Sequence, residues 1–425
     1  LESLMAKIDP HEMYTASLLV RGEIVDVAAI NQDARKNSTK LVEELEEPAR
    51  HVNGGTGSKG FYSVVGDTKI PKYKDLAKAI SVSNYALKQL PSSAKIKKVW
   101  QTGGTWASEI RKFNPDTGTI KNYNSSDVVL EIETLGNNEA THFWGLSLKK
   151  RGIKEAEPTL LNKPVVGNVG FMIGRFTKGQ VKNINDTKEK FFREVLNIVS
   201  GGTYKNQDIS KMSMAQVLKA CDEIFHGKRQ FKNAMLTGTG EFKGNKNIYF
   251  EAMHDAFMGY VNNPKNTKPF FEEFFDLIFK INLDAYIKDS AFHFSLITGV
   301  GDYSISQNKL EVEPASEKEG RLVSEILRNM FKDPDTTSFK LKKQEGAKKL
   351  HAWEPGAKAA KLFYEMVVGH SPNDVSIVDL EVRFKGHLTT EPQFQVFVNR
   401  VRQNGFSKHY AKIAKNHAMG EKRWE

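Results

Sequence analysis

The sequence predicts an α/β protein in which a mixed central sheet is flanked by helices, with additional helical and C-terminal β/α portions. Three observations predict this fold class. Strand-like runs lie on both sides of a polar turn within residues 124–151, which indicates an antiparallel hairpin. Apolar residues recur at helical spacing before this hairpin and again through residues 187–289. Strand-like patterns then return at residues 291–306, 338–342 and 375–385.

The same patterns divide the chain into four portions. Residues 1–95 are an N-terminal α/β portion, residues 96–180 contain the hairpin and form the predicted core, residues 181–290 are a helical insertion, and residues 291–425 are a C-terminal β/α portion with a basic tail. A chain of 425 residues is long enough for two or three domains, each with its own hydrophobic core.

Individual elements are predicted in the first and last portions. Residues 15–29 alternate as a strand does, and residues 31–49 and 72–90 have the pattern of helices. Residues 357–368 are predicted to form a helix that precedes the strand at 375–385. Helices and strands therefore alternate along the chain, as expected for a sheet with helices on its faces.

The composition indicates a globular protein with an anionic partner. Hydrophobic residues make up 39% of the chain and charged residues 27%, which is typical of a folded protein. The formal net charge of +11 favours nucleic acid and is compatible with a membrane surface. No apolar run reaches the ~20 residues of a membrane-spanning helix, and residues 1–10 do not resemble a signal peptide. Cys221 is the single cysteine and cannot form an internal disulfide, which favours a reducing compartment. The sequence therefore predicts a cytoplasmic protein with no membrane partner.

The predicted hairpin brings one acid and one lysine together. Its link, residues 135–140, contains Gly and Asn residues that tolerate turn dihedrals. With the turn at the centre of this link, Asp127 is expected opposite about Leu148, at the end of the ladder that carries Lys149. A metal-dependent phosphodiesterase needs such a pair, because the carboxylate holds Mg²⁺ and the ammonium orients the attacking water or neutralises the phosphate.

These residues resemble the core motif of the PD-(D/E)XK restriction-endonuclease-like nuclease superfamily. There, an acid begins one strand and an acid-x-Lys triplet ends its antiparallel neighbour. Asp127 matches the first acid and Lys149 the lysine, whereas Ser147 stands where a second carboxylate is usual. Some branches of the superfamily tolerate Ser at this position and take an acid from elsewhere, and the run Pro158–Asn162 is similar to some restriction enzymes. The resemblance implies a restriction-endonuclease-like mixed sheet.

The resemblance also implies a role for each residue of the motif. Asp127 and the Leu148 carbonyl would hold Mg²⁺ or Mn²⁺, while Lys149 would position the attacking water. Lys150 and Arg151 would hold the adjacent phosphate. Ser147 would belong to the catalytic set without replacing the absent acid, because a hydroxyl is a poorer ligand than a carboxylate for a hard cation.

The absent acid is predicted to be Glu109. Superfamily members often place a metal-binding Glu on the helix that precedes the hairpin, and residues 105–113 have the pattern of a short amphipathic helix. Glu131 and Glu133 are competing candidates because they lie on the same strand face as Asp127. An ion pair with a cation such as Lys150 or Arg151 is the structural alternative for these two acids.

A second candidate segment covers residues 375–395. Four charged side chains would share one face of a strand there, either as ordinary cross-strand ion pairs or as a surface that faces DNA. The acid-x-basic triplet at residues 381–383 makes this strand a rival location for the active site. Beyond the hairpin, the predicted nucleic-acid contacts are Asn162, Arg383, Lys385, Gln393 and Gln395.

Three further segments have structural interpretations. Residues 54–59 do not have the spacing of a phosphate-binding loop and are expected to be a flexible connection. The glycines in residues 299–301 are expected to form a turn, since the third glycine of a dinucleotide fingerprint is absent. The basic helix predicted at residues 406–422 is either a clamp on the DNA backbone or a solvated terminus.

Together these observations predict a Mg²⁺-dependent DNA endonuclease, of a restriction type or encoded by a phage. Its substrate would be double-stranded DNA, and the protein could act as a homodimer. Two alternatives stay open. One is a DNA-binding or virion structural protein that retains a degenerate nuclease fold, which the serine at position 147 favours. The other is a nuclease directed at RNA.

Overall fold

The structure is a computed structural model that describes most of the chain. The described residues are 8–54, 57–66, 72–102, 106–114, 124–135, 140–152, 161–167, 170–200, 209–225, 248–279, 292–318, 330–357, 360–370, 373–384 and 388–397. The helices are α1 (Pro10–Arg21), α2 (Val27–Asn31), α3 (Ala34–Glu44), α4 (Glu46–Arg50), α5 (Gly57–Val65), α6 (Tyr73–Gln89), α7 (Lys178–Val199), α8 (Met214–Phe225), α9 (Ile248–Val261) and α10 (Pro264–Phe279). The strands are β1 (Val52–Asn53), β2 (Ala94–Gln101), β3 (Val128–Thr134), β4 (Ala140–Arg151), β5 (Asn162–Pro164), β6 (Phe292–Ser304), β7 (Lys309–Lys318), β8 (Thr336–Lys343), β9 (Lys361–His370), β10 (Asn373–Arg383) and β11 (Gln393–Phe397).

The first sheet is mixed and contains six of the described strands, in the order β1-β2-β3-β4-β6-β7. β2, β3 and β4 are antiparallel neighbours, while β6 is parallel to β4. The predicted hairpin is confirmed, with Val128 opposite Leu146. The prediction of a mixed central sheet flanked by helices is therefore confirmed, and its strand β6 comes from the predicted C-terminal portion.

The second sheet contains five of the described strands, in the order β5-β11-β10-β9-β8, and every pair within it is antiparallel. Its strand β9 occupies residues that were predicted to be helical. Leu362, Tyr364 and Met366 point into the core at alternate positions, and packing of this face overrides the helix propensity of the segment. Because β5 joins this sheet, the predicted core portion contributes strands to both sheets.

Helix α1 forms where residues 15–29 were predicted to be a strand, so that prediction is wrong. Asp9 caps the helix by accepting a hydrogen bond from the His11 N–H at 2.9 Å, and Gly22 ends it with a φ of 72°. All seven side chains from Met13 to Leu19 are buried. A helix that is buried on every side has no one-sided apolar stripe, which is why its sequence did not show helical periodicity.

Helices α1 and α6 cover one face of the first sheet and share a buried core with β2, β3 and β4. Two glycines of β6 allow α6 to pack closely. A Cβ atom at Gly299 would lie 2.6 Å from the Lys78 carbonyl oxygen, and one at Gly301 would lie 2.8 Å from the Ala77 Cβ. These glycines are therefore strand residues that admit a helix, and the prediction of a turn is wrong.

The opposite face of the first sheet packs into a large core with helices α7 to α10 and the second sheet. Trp100 and Val129 contribute from the first sheet, Phe257 and Phe274 from the helices, and Phe394 from the second sheet. Of the predicted connection at residues 54–59, Gly54 follows β1 and residues 57–59 belong to helix α5, whereas residues 55–56 lie outside the described residues. Within the described ranges, no helix is both long enough and apolar enough to cross a membrane.

Candidate active site

Asp127 lies at one end of the central hairpin, immediately before β3. Its backbone N–H donates to the Leu146 carbonyl at 2.8 Å, so the ladder continues past the strand and sets Asp127 opposite Ser147, one residue from the predicted partner. The Leu148 N–H donates to Asp127 Oδ2 at 2.6 Å. Burial raises the pKa of the Asp127 carboxyl, and the positive charge of Lys149 opposes that rise. The structure therefore brings Asp127 and Lys149 to the same end of the sheet.

The second acid at this site is Glu12 of helix α1. Burial raises the pKa of Glu12 to about 8, and the negative charge of Asp127 is the next largest cause. Gln101, at the end of β2, lies close enough to lower the pKa of Glu12. Two neighbouring carboxyl groups in a buried site cannot both ionise at low cost, so this pair favours either a shared proton or a bound cation.

Two buried polar side chains lie at the same end of the sheet, and neither has a hydrogen-bond partner among the described residues. Ser147 is fully buried, and its Oγ is unpaired within that part of the chain. Gln101 is 1% exposed, and neither atom of its amide makes a hydrogen bond of normal geometry there, although the amide lies close to Glu12. An unpaired buried polar group costs about 1–3 kcal/mol. These side chains therefore add unused hydrogen-bonding capacity to the two acids.

Two consecutive lysines of β4 have different surroundings. The Lys149 ammonium is partly exposed and acts on Asp127, and it forms no salt bridge with a carboxylate of the described residues. The Lys150 ammonium lies 2.6 Å from Asp9 and 3.0 Å from Asp75. Asp9 caps α1 and Asp75 lies in the first turn of α6, so Lys150 fastens both helices to β4. Lys150 therefore has a structural role, and its predicted phosphate contact stays a prediction.

Glu109, the predicted replacement acid, does not join the site. Of residues 105–113, only Arg111–Phe113 forms a helical turn within the described residues, so no helix holds the Glu109 carboxyl toward the sheet. The carboxyl is exposed and accepts a hydrogen bond from Ser108 Oγ at 3.1 Å. The acids that act electrostatically at this site are Glu12, whose pKa is raised by the charge of Asp127, and Asp9, whose charge raises the pKa of both Glu12 and Asp127.

The competing acids on β3 are engaged elsewhere. Glu131 and Glu133 each lie 3.5 Å from Lys97, and Glu133 also lies 3.4 Å from Lys95. These are the ion pairs expected of a structural role, although their cations come from β2. Arg151, the other predicted phosphate ligand of the hairpin, is partly exposed at the end of β4.

The second predicted segment lies in the five-stranded sheet, whereas Asp127 and Lys149 lie in the six-stranded one. Arg383 donates to Gln395 at 3.1 Å and lies 3.9 Å from Glu381, whose carboxylate also lies 3.2 Å from Lys361. The rival triplet at residues 381–383 is therefore occupied by cross-strand polar contacts.

The structure describes some of the other predicted nucleic-acid contacts of that segment. Gln393 lies two residues from Gln395 on β11, and its buried Oε1 has no hydrogen-bond partner among the described residues. The backbone of Asn162 pairs with Gln395 in the ladder between β5 and β11. Lys385 and the predicted basic helix at residues 406–422 lie outside the described residues.

The site fits a magnesium ion held by few protein ligands. Within the described residues, no three side chains of His, Cys, Asp or Glu converge on one point. Mg²⁺ commonly keeps several waters and takes one or two carboxylates from the protein, and Glu12 with Asp127 supplies that number. The unpaired Ser147 hydroxyl and Gln101 amide are suited to hydrogen bonds with waters of the ion.

Glu12 and Gln101 are the site residues that sequence reasoning missed. The run Asp9-Pro10 is a recognisable helix start, because Asp caps helices and Pro favours their first position. This signal could have revealed α1, although it does not show that Glu12 meets Asp127. Comparisons with known proteins give no further guide, since the chain matches no protein-family model, no curated protein and no solved structure.

Proposed function

We propose that the protein is a Mg²⁺-dependent endonuclease that hydrolyses phosphodiester bonds in DNA. The observation that supports it most directly is the juxtaposition of Glu12 and Asp127 beside Lys149 at the end of the central hairpin. A mixed sheet built on this hairpin is what a restriction-endonuclease-like core would have. Glu12 would take the role that the resemblance gives to an acid on the helix directly before the hairpin, although five of the described helices and two of the described strands lie between α1 and the hairpin in the chain.

Each residue of the site has a role that its chemistry allows. The Glu12 and Asp127 carboxylates, with the Leu148 carbonyl, would hold the ion, which supplies charge neutralisation and acidifies a bound water. Lys149 carries a positive charge that no described salt bridge compensates, so it can neutralise a phosphate oxygen or orient the water. The Leu148 N–H fixes the orientation of the Asp127 carboxylate through Oδ2.

Cleavage assays with matched variants test the proposal. Plasmid DNA, single-stranded DNA and RNA are incubated with the protein in Mg²⁺ or in EDTA. We expect Mg²⁺-dependent cutting of DNA and a loss of at least ~100-fold in each of two variants. Asp127→Asn removes a charge that would hold the ion, and Lys149→Met removes one that would act on the reacting phosphate. Asp186→Asn is the control, since Asp186 forms an exposed ion pair with Lys182 on α7. Normal cutting by Asp127→Asn would refute the assignment.

A non-catalytic DNA-binding protein is the second candidate, and the serine at position 147 favours it. Ser147 stands where the resemblance would place a carboxylate, and its buried hydroxyl has no partner in the part of the chain that the structure describes. In that case the wild-type protein binds DNA without cutting it in Mg²⁺ or Mn²⁺. Preferential cleavage of RNA in the same assay would instead support the RNA-directed alternative.

A further inference from the structure

Three exposed cations cluster beside the central hairpin. Lys98 lies on β2, and Arg111 and Lys112 lie in the helical turn at residues 111–113. We refer to Lys98, Arg111 and Lys112 as the cation patch. Sequence reasoning gave these residues no role, although cations interleaved with aromatic residues are a known signature of nucleic-acid surfaces.

The cation patch rests on a continuous aromatic platform. The Lys98 ammonium lies 5.7 Å from the centre of the Trp100 ring, and the Lys112 ammonium lies 4.9 Å from Phe113 and 5.7 Å from Phe143. The ring of Phe143 is 6.2 Å from that of Trp100 and 4.8 Å from that of Phe113. These contacts hold the ammonium groups near the surface through cation–π attraction.

Strand pairing places this platform on the sheet face opposite helix α1, which carries Glu12. Trp100 pairs with Val129, which in turn pairs with Gly145, and Lys149 shares the face of Gly145. Asp127 lies at the end of this sheet, where it acts with Glu12. Lys98 pairs with Glu131, four residues from Asp127, so at about 3.3 Å per residue the cation patch lies roughly 13 Å along β3 from Asp127. A duplex bound across this end of the sheet can therefore contact both places.

The charges of the cation patch are available to an external anion. Neighbouring Lys97 is compensated by Glu131 and Glu133, each 3.5 Å away. No member of the patch forms a salt bridge with the described residues. The acid on which Lys98 acts is Glu109, which is exposed and more distant than a direct ion pair. Of these two adjacent lysines of β2, Lys97 is therefore held in structural ion pairs, whereas Lys98 can bind an external anion.

We propose that the cation patch binds the phosphate backbone of the nucleic acid that the site cleaves. The inference rests on the proposed function, because it takes the strand at Asp127 and Lys149 as the substrate. Trp100 and Phe113 are each 2% exposed, so they support the cations and cannot stack on bases. The contact is thus made with phosphates and is independent of sequence.

Binding measurements at several salt concentrations test the inference. The patch variant carries Lys98→Gln, Arg111→Gln and Lys112→Gln, which remove the charges and keep side chains over the rings. The control variant carries Lys40→Gln, Lys95→Gln and Lys97→Gln and has the same net charge. Both are made in the Asp127→Asn background, and their affinity for a duplex is followed by fluorescence anisotropy in Ca²⁺. We expect the patch variant to lose ~2.7 from the slope of log K against log salt, which is 0.9 for each of three phosphate contacts, and the control to lose less than half of that.

The outcomes separate the inference from the proposed function. Equal slopes for the patch and control variants, both folded by circular dichroism, would overturn the inference. Mg²⁺-dependent cutting by the otherwise wild-type protein would then leave the proposed function intact. Conversely, patch-dependent binding by a protein that never cuts would support the surface and refute the nuclease. In an active enzyme, the patch substitutions should raise KM and leave kcat within about twofold. The reason is that these residues would bind the substrate and the transition state equally well.

Discussion

Replacing Glu12 with Gln should stabilise the metal-free protein at alkaline pH and remove its response to Mg²⁺. The pKa of Glu12 rises from an ordinary value of 4.5 to about 8 in the folded state, mainly through burial. Between these two values the folded state retains a proton that the unfolded state has released. The free energy of unfolding must therefore fall as the pH rises through this window. Glutamine is neutral throughout and nearly isosteric, so the variant should lack this decline.

The size of the effect follows from the two pKa values. At 1.36 kcal/mol for each pH unit that separates them, the ionised carboxyl disfavours the fold by about 4–5 kcal/mol once the pH exceeds 8. Part of this penalty is electrostatic, because the charge of Asp127 is the second largest cause of the raised pKa. Solvent that reaches the partly exposed side chain would lower the penalty to about 2–3 kcal/mol.

Urea unfolding at pH 5, 7 and 9 measures this decline directly, in EDTA and in Mg²⁺. In EDTA, the wild-type protein should lose stability between pH 5 and 9 while Glu12→Gln loses markedly less. Mg²⁺ should restore the wild-type protein at pH 9, because a cation stabilises the ionised pair, and should leave the variant unchanged. Glu23→Gln is the control, since Glu23 is exposed and pairs with Arg21. Parallel loss of stability by the wild type and Glu12→Gln would refute the reasoning.

Two further predictions concern packing and acid stability. Gly299→Ala should lower the free energy of unfolding in urea by about 1–3 kcal/mol, because the new Cβ would lie 2.6 Å from the Lys78 carbonyl oxygen. Gly179→Ala, on the exposed side of α7, is the control and should be neutral or stabilising. Equal effects of the two substitutions would contradict the close-packing argument. Burial lowers the pKa of His254 to about 4, so the unfolded state takes up its proton first and stability falls as the pH drops from 6.5 to 4. His254→Phe should lose less stability over that pH range. At neutral pH the variant should be about 1 kcal/mol less stable, because the hydrogen bond with Tyr364 is lost. If the free energy of unfolding in urea falls equally with pH in both proteins, His254 does not contribute.

The hairpin could be predicted because its signals are local. Strand patterns on both sides of a Gly- and Asn-containing link define the two strands, and they brought Asp127 close to Lys149 in the prediction as in the structure. The register differed by one residue, since the composition of a turn does not determine how many residues it contains. Helix α1 was not predicted, because a helix buried on every side shows no one-sided pattern.

The second acid could not be predicted from local sequence. Glu109 is the acid that the resemblance predicts, on a helix just before the hairpin, but a carboxyl joins a site through packing. Glu12 reaches Asp127 because α1 packs on β2, β3 and β4 and because Lys150 ties the start of α1 to β4. These are contacts between distant segments, and composition does not reveal them. The same limit explains the error at β9, where burial of alternate residues against the helices outweighed helix propensity.

The parallel pairing of β4 with β6 determines when the site can form during synthesis. Phe143 pairs with Phe292, and the whole helical stretch from α7 to α10 lies between them in the chain. Until β6 leaves the ribosome, β4 is an unpaired sheet edge, and such edges attract other strands. Pairing between distant segments also makes folding slow, because a large loop must close before its contacts are gained. The strand end that carries Lys149 is therefore among the last parts of the protein to reach its final surroundings.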